Sequence, residues 1–155
     1  MVNGFIYQSI IGPLAIYEED GSIIAIKKNE PIPVDVNQIK TALIEQTILE
    51  LDEYFTGKRT QFSVSMKHHH QGFHAKVWTE LSKIPYGVTV SYKELAIRIG
   101  HPRAYRAVGG ACHANPIPIL IPCHRVVATN GSMTGFGWGL DTKKSLLALE
   151  KKFYK

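Results

Sequence analysis

The sequence predicts an α+β fold: a small antiparallel sheet with one long helix, followed by a mostly helical part. Residues 1–30 contain short runs of β-branched and aromatic residues separated by turn residues, which is typical of strands. Apolar residues later in the chain recur every three or four positions, which is typical of helices.

The distribution of charge divides the chain in two. Residues 1–66 contain five Lys and Arg and nine Asp and Glu, so this part is acidic. Residues 67–155 contain thirteen Lys and Arg and four Asp and Glu, so this part is basic. We therefore expect two domains, 1–66 and 67–155, and an anionic partner for the second, with nucleic acid as the first candidate. A basic solvated face that binds no partner is the alternative.

The composition favours a folded protein inside the cell. Hydrophobic residues make up 45% and charged residues 20% of the 155 positions, which argues against disorder. The sequence has no run of eighteen apolar residues and no N-terminal signal pattern, so we expect neither a membrane span nor secretion. Two cysteines are too few for a disulfide framework. The expected location is the cytoplasm, or the nucleus if the organism is eukaryotic.

The N-terminal half is predicted to begin with an antiparallel meander. Strands are expected at residues 5–7, 14–17 and 23–26, and the Asp20-Gly21 dipeptide between the last two favours a tight hairpin turn.

A helix is predicted after the meander. Asp35 followed by Gln38 has the pattern of a capping box, and apolar positions at helical spacing continue from there to Gly57. Residues 62–64 are strand-like. The polar run His68–His70 that follows is predicted to be an exposed linker rather than a metal site, because neighbouring side chains diverge.

The C-terminal half is predicted to contain a helix-turn-helix. A helix through Phe73 and Leu81 precedes it. Ser91 with Glu94 then forms a second capping-box pattern, in a short helix that Gly100 ends. Pro102 is expected in the first turn of the next helix, which carries Arg103, Arg106, Ala107, Gly109 and Gly110. Glycines inside a helix suggest close approach by another backbone, and at this point DNA contact and tight helix packing explain them equally.

The segment Ile-Pro-Cys-His-Arg-Val at 121–126 suggests a nucleophilic thiol. Cys123 needs a base, and the adjacent His124 would reach it more plausibly through a water than directly. Glu150, on the apolar stripe of the last helix, is a candidate to orient His124, the alternative being that it lies at the rim in water. A zinc site of Cys112-His113 and Cys123-His124 matches no common spacing, so Cys112 is expected to be a small buried residue.

Residues 115–127, NPIPILIPCHRVV, resemble the active-site segment of the O6-alkylguanine-DNA alkyltransferases, the methylated-DNA protein-cysteine methyltransferases. Residues 72–150 carry further matches in order, in PYG, SY, RAVGG and LLALE. The resemblance implies a ribonuclease H-like fold for the N-terminal domain, whose likeness to the family rests only on length and on its strand-then-helix pattern.

The resemblance implies direct repair of duplex DNA by a monomer that needs no cofactor and no metal. Cys123 would accept the alkyl group from a flipped O6-alkylguanine, and less well from O4-alkylthymine. His124 would deprotonate Cys123 through a water, Glu150 would orient His124, and Asn115 would hold the turn. The product would be a thioether, so each molecule would react once.

The resemblance also assigns the DNA contacts and the substrate pocket. Arg106 would fill the space left by the flipped base, Tyr92 would press on the adjacent phosphate, and the second helix would enter the minor groove. Further DNA contacts are expected from Ser91, Arg103, Ala107, Gly109, Gly110 and Arg125, and pocket residues are Phe136, Gly137, Trp138 and Lys143.

One position departs from the family pattern. Phe136 stands where a tyrosine is common, so the proton for the leaving guanine must come from elsewhere, such as Tyr92 or a backbone N–H. Glycines at 131, 135, 137 and 139 suggest a flexible pocket wall, in which Trp138 limits the alkyl groups that enter. Two rival functions remain: a lesion-binding module without transfer activity, which Cys123 argues against, and a thiol hydrolase, which would leave the charge asymmetry unexplained.

Overall fold

A computed structural model of the chain describes residues 1–130 and 136–154. The chain divides into two compact units, Met1–His68 and His69–Lys155, whereas the charge pattern places the boundary between 66 and 67. The element order is that of an α+β fold, as predicted. In the described ranges, no helix combines the length and the apolar character needed to cross a membrane.

The first unit contains a four-stranded sheet. Strands β1 (Val2–Ser9), β2 (Gly12–Glu19) and β3 (Ser22–Lys28) form the predicted antiparallel meander, and the short β4 (Asn37–Gln38) pairs with β1 in parallel. The hairpin at Asp20-Gly21 is confirmed, with positive φ angles of 49° and 80° at its two central residues. Two positive φ angles suit the right-handed twist of the flanking strands.

The helix of the first unit starts later than predicted. Helix α1 (Ala42–Phe55) begins after Thr41, whose side-chain oxygen accepts a hydrogen bond from the Ile44 amide at 3.2 Å. The predicted start at Asp35 is wrong because residues 37–38 are extended and pair with β1, which draws the chain away from helical geometry. The predicted end is confirmed, since Gly57 follows the helix with φ 77°.

The strand-like residues 62–64 also differ from the prediction. They belong to no strand, and the chain meets the sheet only afterwards, where Met66 forms an isolated bridge with Ile23. Ile23 donates to the Ser65 carbonyl at 2.8 Å and accepts from the Lys67 amide at 2.9 Å.

The second unit is mostly helical. Its elements are α2 (Phe73–Leu81), β5 (Val90–Ser91), α3 (Tyr92–Arg98), α4 (Tyr105–His113), a 3₁₀ turn (Cys123–Arg125), β6 (Val126–Val127) and α5 (Leu140–Phe153). The N-cap at Ser91 is confirmed, because its hydroxyl accepts from the Glu94 amide at 3.0 Å. The Glu94 carboxylate accepts from Arg98 at 3.0 Å. Gly100 follows α3 with φ 84°, and α4 completes the predicted helix pair.

The second helix of this pair starts three residues later than predicted. Pro102 and Arg103 lie in the turn before α4, and Ala104 occupies the N-cap position. The Ala104 amide bonds back to the His101 carbonyl at 2.9 Å, so the turn closes on itself before the helix begins.

Two contacts bring the site-bearing segments of the second unit together. The buried Trp78 on α2 donates from its indole nitrogen to the Ala111 carbonyl on α4 at 2.8 Å. Strands β5 and β6 pair in parallel, Val90 with Val126 and Ser91 with Val127. The start of α3 is therefore held beside the backbone that directly follows the 3₁₀ turn.

Thr41→Ala is expected to destabilise the first unit by about 1 kcal/mol, because the Ile44 amide loses its cap. Thr41→Ser keeps the hydroxyl and should leave the stability essentially unchanged, because serine is at least as good an N-cap as threonine. Urea unfolding followed by circular dichroism, together with hydrogen exchange of the Ile44 amide, measures both. Asp35→Ala is the control. If it lowered the free energy of unfolding as much as Thr41→Ala does, the helix would instead begin at Asp35.

Candidate active site

The cysteine at the start of the 3₁₀ turn is buried and follows a closely held loop. The Cys123 amide donates to the Ile121 carbonyl at 2.8 Å. Asn115 bridges the loop, since its side-chain nitrogen donates to the Ile121 carbonyl at 2.8 Å and its oxygen accepts from the Ile117 amide at 3.0 Å. This is the turn that the family resemblance assigned to Asn115.

The thiol is not acidic where it lies. Burial raises the pKa of Cys123 to about 11, against the opposing effects of a hydrogen bond with Asn115 and the charge of Lys143. At neutral pH the group is therefore the protonated thiol, and it needs a base to become a nucleophile. Cys112 is also buried and carries a free thiol, whose pKa burial raises to about 12.

His124, the residue after Cys123, supplies a neutral base. Its ring is fully buried, and its Nε2 atom lies 2.5 Å from the Oε2 atom of Glu150. Burial lowers the pKa of His124, although Glu150 acts in the opposite direction. With the proton on Nε2 directed at the carboxylate, Nδ1 is the nitrogen with the basic lone pair.

Glu150 is a buried carboxylate and does not lie at a solvated rim. Besides His124, it accepts hydrogen bonds from the Gly87 amide at 3.0 Å and from Arg125 at 2.8 Å (Nε) and 3.1 Å (Nη2). Burial alone would raise the pKa of Glu150, but the hydrogen bonds and charges of His124 and Arg125 hold that pKa well below its usual range.

Arg125 occupies a different place from the one predicted. The sequence assigned it to DNA contact, yet the residue is buried and its third nitrogen, Nη1, donates to the Ile84 carbonyl at 2.7 Å. Its guanidinium lies over the ring of Tyr86, with 5.7 Å between carbon and ring centroid. A guanidinium engaged in this way is not available to a DNA surface.

Lys143 on α5 is a buried cation beside the site. Its ammonium donates to the Val126 carbonyl at 2.6 Å and to the Tyr92 hydroxyl at 3.3 Å. Burial lowers the pKa of Lys143, against the effects of the two thiols. Tyr92, at the start of α3, is thus linked to the segment that follows the cysteine.

Helix α4 presents small and basic residues on its outer side. Arg106, Ala107 and Gly110 are exposed, as is Arg103 in the preceding turn, whereas Val108 and Ala111 are buried. A Cβ atom added at Gly110 would meet nothing within 4 Å, and one at Gly109 would lie 3.8 Å from the Tyr92 ring. Internal packing therefore does not explain Gly110. The Ser91 hydroxyl is used as the cap of α3.

The expected pocket wall is described only in part. Phe136 and Trp138 form an edge-to-face pair with ring centroids 6.0 Å apart, and a Cβ at Gly137 would lie 3.3 Å from the His113 carbonyl oxygen. Gly139 directly precedes α5. The predictions for Gly131 and Gly135 lie outside the described residues.

Within residues 1–130 and 136–154, no group of three or more His, Cys, Asp or Glu is placed to hold a metal ion. Of the three consecutive histidines, His70 packs its ring edge against Trp78, with centroids 5.0 Å apart. This residue is thus part of the second unit and not only of a linker.

Sequence reasoning missed two contributors to the site. Gly87 donates its amide to Glu150, and a side chain there would be strained, because its φ is 78° and a Cβ would clash with the Tyr154 ring. The PYG motif pointed to Gly87 as a family position, but it did not indicate that the Gly87 amide binds Glu150. Ile119 has φ 74°, an uncommon angle for a β-branched residue, and no sequence signal indicates it.

The buried carboxylate makes stability depend on pH. Because the folded pKa of Glu150 lies below its ordinary value of 4.5, its contribution is complete above that pH and is lost as pH falls below it. Glu150→Gln should therefore cost about 3 to 5 kcal/mol at neutral pH and progressively less in acid. Urea unfolding measured by tryptophan fluorescence reports this unit, since Trp78 and Trp138 are the chain's two tryptophans. Glu94→Gln, at an exposed ion pair with Arg98, is the control, and an equal loss there would contradict the prediction.

The chain is similar in sequence to known proteins of one family. The family model described as 6-O-methylguanine DNA methyltransferase, DNA binding domain, matches residues 72–152, and the model for the ribonuclease-like domain of the same family matches residues 4–67. The methylated-DNA–protein-cysteine methyltransferase of Methanosarcina barkeri is 41% identical over 151 residues, covering 94% of this chain and 95% of the relative. The Haemophilus influenzae protein of the same name is 39% identical, covering 94% and 84%.

A solved structure adds agreement in three dimensions. The crystal structure of Mycobacterium tuberculosis OGT in complex with DNA superposes with a TM-score of 0.91 at 36% identity, covering 97% of this chain and 94% of that one. The chain belongs to the 6-O-methylguanine DNA methyltransferase family.

Proposed function

We propose that this chain repairs DNA by moving the alkyl group from the O6 atom of a modified guanine to the sulfur of Cys123. The observation that carries the proposal is the buried contact between Glu150 and His124, the residue that follows Cys123 in the chain. A DNA partner is supported by the family's DNA-binding domain and by the relative solved with DNA.

The chemistry follows from the arrangement of these groups. The thiol proton passes through a water to Nδ1 of His124, and Glu150 stabilises the resulting imidazolium. The thiolate attacks the alkyl carbon, a sulfur–carbon bond forms, and the carbon–oxygen bond breaks with its electron pair going to O6 of the guanine. The guanine then takes up one proton, which balances the step.

The source of that last proton is proposed to be Tyr92. Phe136 has no hydroxyl, whereas the Tyr92 hydroxyl lies 3.3 Å from the ammonium of Lys143. A cation beside a phenol favours its release of a proton to a developing anion. Gly137 and Trp138 would line the pocket that receives the base, with Trp138 limiting the size of the alkyl group.

Access to the base requires that it leave the duplex. We propose that α4 enters the minor groove, where the exposed Ala107 and Gly110 permit close approach and Gly109 adds no bulk. Arg106 fills the gap left by the flipped base, and Arg103 and Ser91 contact the backbone near by. Extraction of a base costs a few kcal/mol, and such contacts offset that cost.

The thioether product explains why each molecule should react once. No group in the proposed step regenerates the thiol, and the step uses neither a cofactor nor a metal. We propose that the protein acts as a monomer in the compartment that holds the DNA, the cytoplasm or, in a eukaryote, the nucleus. O4-alkylthymine is proposed as a second and poorer substrate.

The first test uses the pure chain and a duplex with one O6-methylguanine. One CH₂ unit of added mass, confined to the Cys123 peptide and limited to one per molecule, is expected. Cys123→Ala should gain none, whereas Cys112→Ala, which removes the other buried thiol, should gain the same mass as the wild type. Binding without a mass change would instead indicate a lesion-recognition module, and repeated turnover would indicate a thiol hydrolase.

A second test concerns α4. Gly110→Ala should stabilise the second unit by about 1 kcal/mol, because alanine suits a helix and the added methyl group meets no atom of the protein. The same methyl group should weaken duplex binding by about tenfold if DNA approaches the helix closely. Unfolding and binding titrations measure the two effects. Increased stability with unchanged binding would contradict the minor-groove placement at this residue.

A further inference from the structure

We propose that Arg125 is a positioning residue for alkyl transfer: its guanidinium holds the Glu150 carboxylate against His124. This inference rests on the proposed function. It replaces the DNA contact that the sequence assigned to Arg125.

The guanidinium forms a two-pronged contact with the carboxylate. Nε donates to Oε1 of Glu150 at 2.8 Å, and Nη2 donates to Oε2 at 3.1 Å. Paired N–H groups of this kind match a carboxylate in one plane, a geometry that a lysine ammonium does not provide. The third nitrogen is bonded to the Ile84 carbonyl at 2.7 Å, which anchors the guanidinium to the segment after α2.

This contact determines which oxygen faces the histidine. Oε1 is shared between Arg125 and the Gly87 amide, and Oε2 is shared between Arg125 and Nε2 of His124. Rotation of the carboxylate would break several of these bonds together. The orientation of Glu150 keeps the proton of the histidine on Nε2, and this leaves Nδ1 as the atom that accepts the thiol proton.

The charges around His124 favour its neutral form. Glu150 and Lys143 face it from α5, and Arg125 and Cys123 lie on its own turn. Tyr86 packs against the Arg125 guanidinium, with 5.7 Å between carbon and ring centroid. Among these groups Glu150 favours the imidazolium, whereas Arg125 and Lys143 oppose it, as does burial. Loss of the Arg125 charge should therefore raise the pKa of His124.

A purely structural role would give a different result. A buried ion pair that served only the fold would lower stability when broken, without moving the pH dependence of the reaction. The pH profile of methyl transfer therefore distinguishes positioning from mere stabilisation. Two variants separate geometry from charge, because Arg125→Lys keeps the charge and loses the two-pronged contact, whereas Arg125→Gln loses both.

The experiment measures the single-turnover rate of methyl transfer from a saturating duplex with one O6-methylguanine, from about pH 5 to 9. Arg125→Lys should slow transfer by about tenfold to a hundredfold at every pH. The midpoint, the pH at which its rate falls to half on the acid side, should stay at the wild-type value. Arg125→Gln should slow transfer and also move that midpoint upward by about one pH unit. Arg98→Gln removes the same charge at an exposed position and should leave the midpoint unchanged. A rate for Arg125→Lys within about twofold of the wild type would overturn the positioning role.

Nitrogen NMR of His124 in the DNA-free protein tests the inference independently of activity. The wild type should show Nε2 protonated and Nδ1 unprotonated at neutral pH, and Arg125→Lys should show a mixture of the two tautomers. An unchanged tautomer in Arg125→Lys would overturn the proposal even if Arg125→Gln fails to fold. A wild-type protein that gains no CH₂ unit would overturn the proposed function instead, and the NMR comparison would still decide the role of Arg125.

Discussion

The buried carboxylate of Glu150 is the constraint on which the rest of the second unit depends. An ionised carboxylate removed from water costs several kcal/mol unless cations and N–H groups replace the lost hydration. Here those groups come from separate places: the backbone of Gly87, and His124 and Arg125 in the 3₁₀ turn. One charge on α5 therefore holds together segments that are distant in the sequence, and loss of any donor leaves the others around an incompletely compensated anion.

The same burial has opposite effects on the two reacting groups. It raises the pKa of Cys123 and lowers the pKa of His124, so at neutral pH both are uncharged. A buried protonated thiol is poorly reactive toward oxidants, since the thiolate is the reactive form. Reactivity must then arise when a substrate fills the site, with His124 taking the proton and Lys143 favouring the thiolate. The site thus protects a residue that the proposed chemistry uses only once.

The elements that sequence predicted well are those set by neighbouring residues. The turn at Asp20-Gly21 and the cap at Ser91 require only short-range chemistry, and both are present. The start of α1 was missed because Asn37 and Gln38 pair with a strand more than thirty positions earlier, and this pairing outweighs a local capping pattern. The position of Arg125 was missed for a similar reason, since its partner Glu150 lies on another element. For Gly110 the sequence does not distinguish DNA contact from tight helix packing. Only the neighbours of Gly110 in space show that packing does not require a glycine there.

Ile119 shows why part of the site had no signal in the sequence at all. A positive φ at a residue other than glycine costs on the order of 1 to 3 kcal/mol, and a pattern-based prediction would place glycine or asparagine there. Complete burial of an isoleucine side chain contributes about 1.5 to 3 kcal/mol, and Ile119 is 1% exposed. The two effects are of similar size, so burial of the Ile119 side chain offsets much of the backbone strain. The Asn115 bridge and the bond from the Ile121 amide to the Ile117 carbonyl add to it. Apolar packing and hydrogen bonds thus act together on the loop before Cys123, and this fixes the backbone from which the sulfur projects.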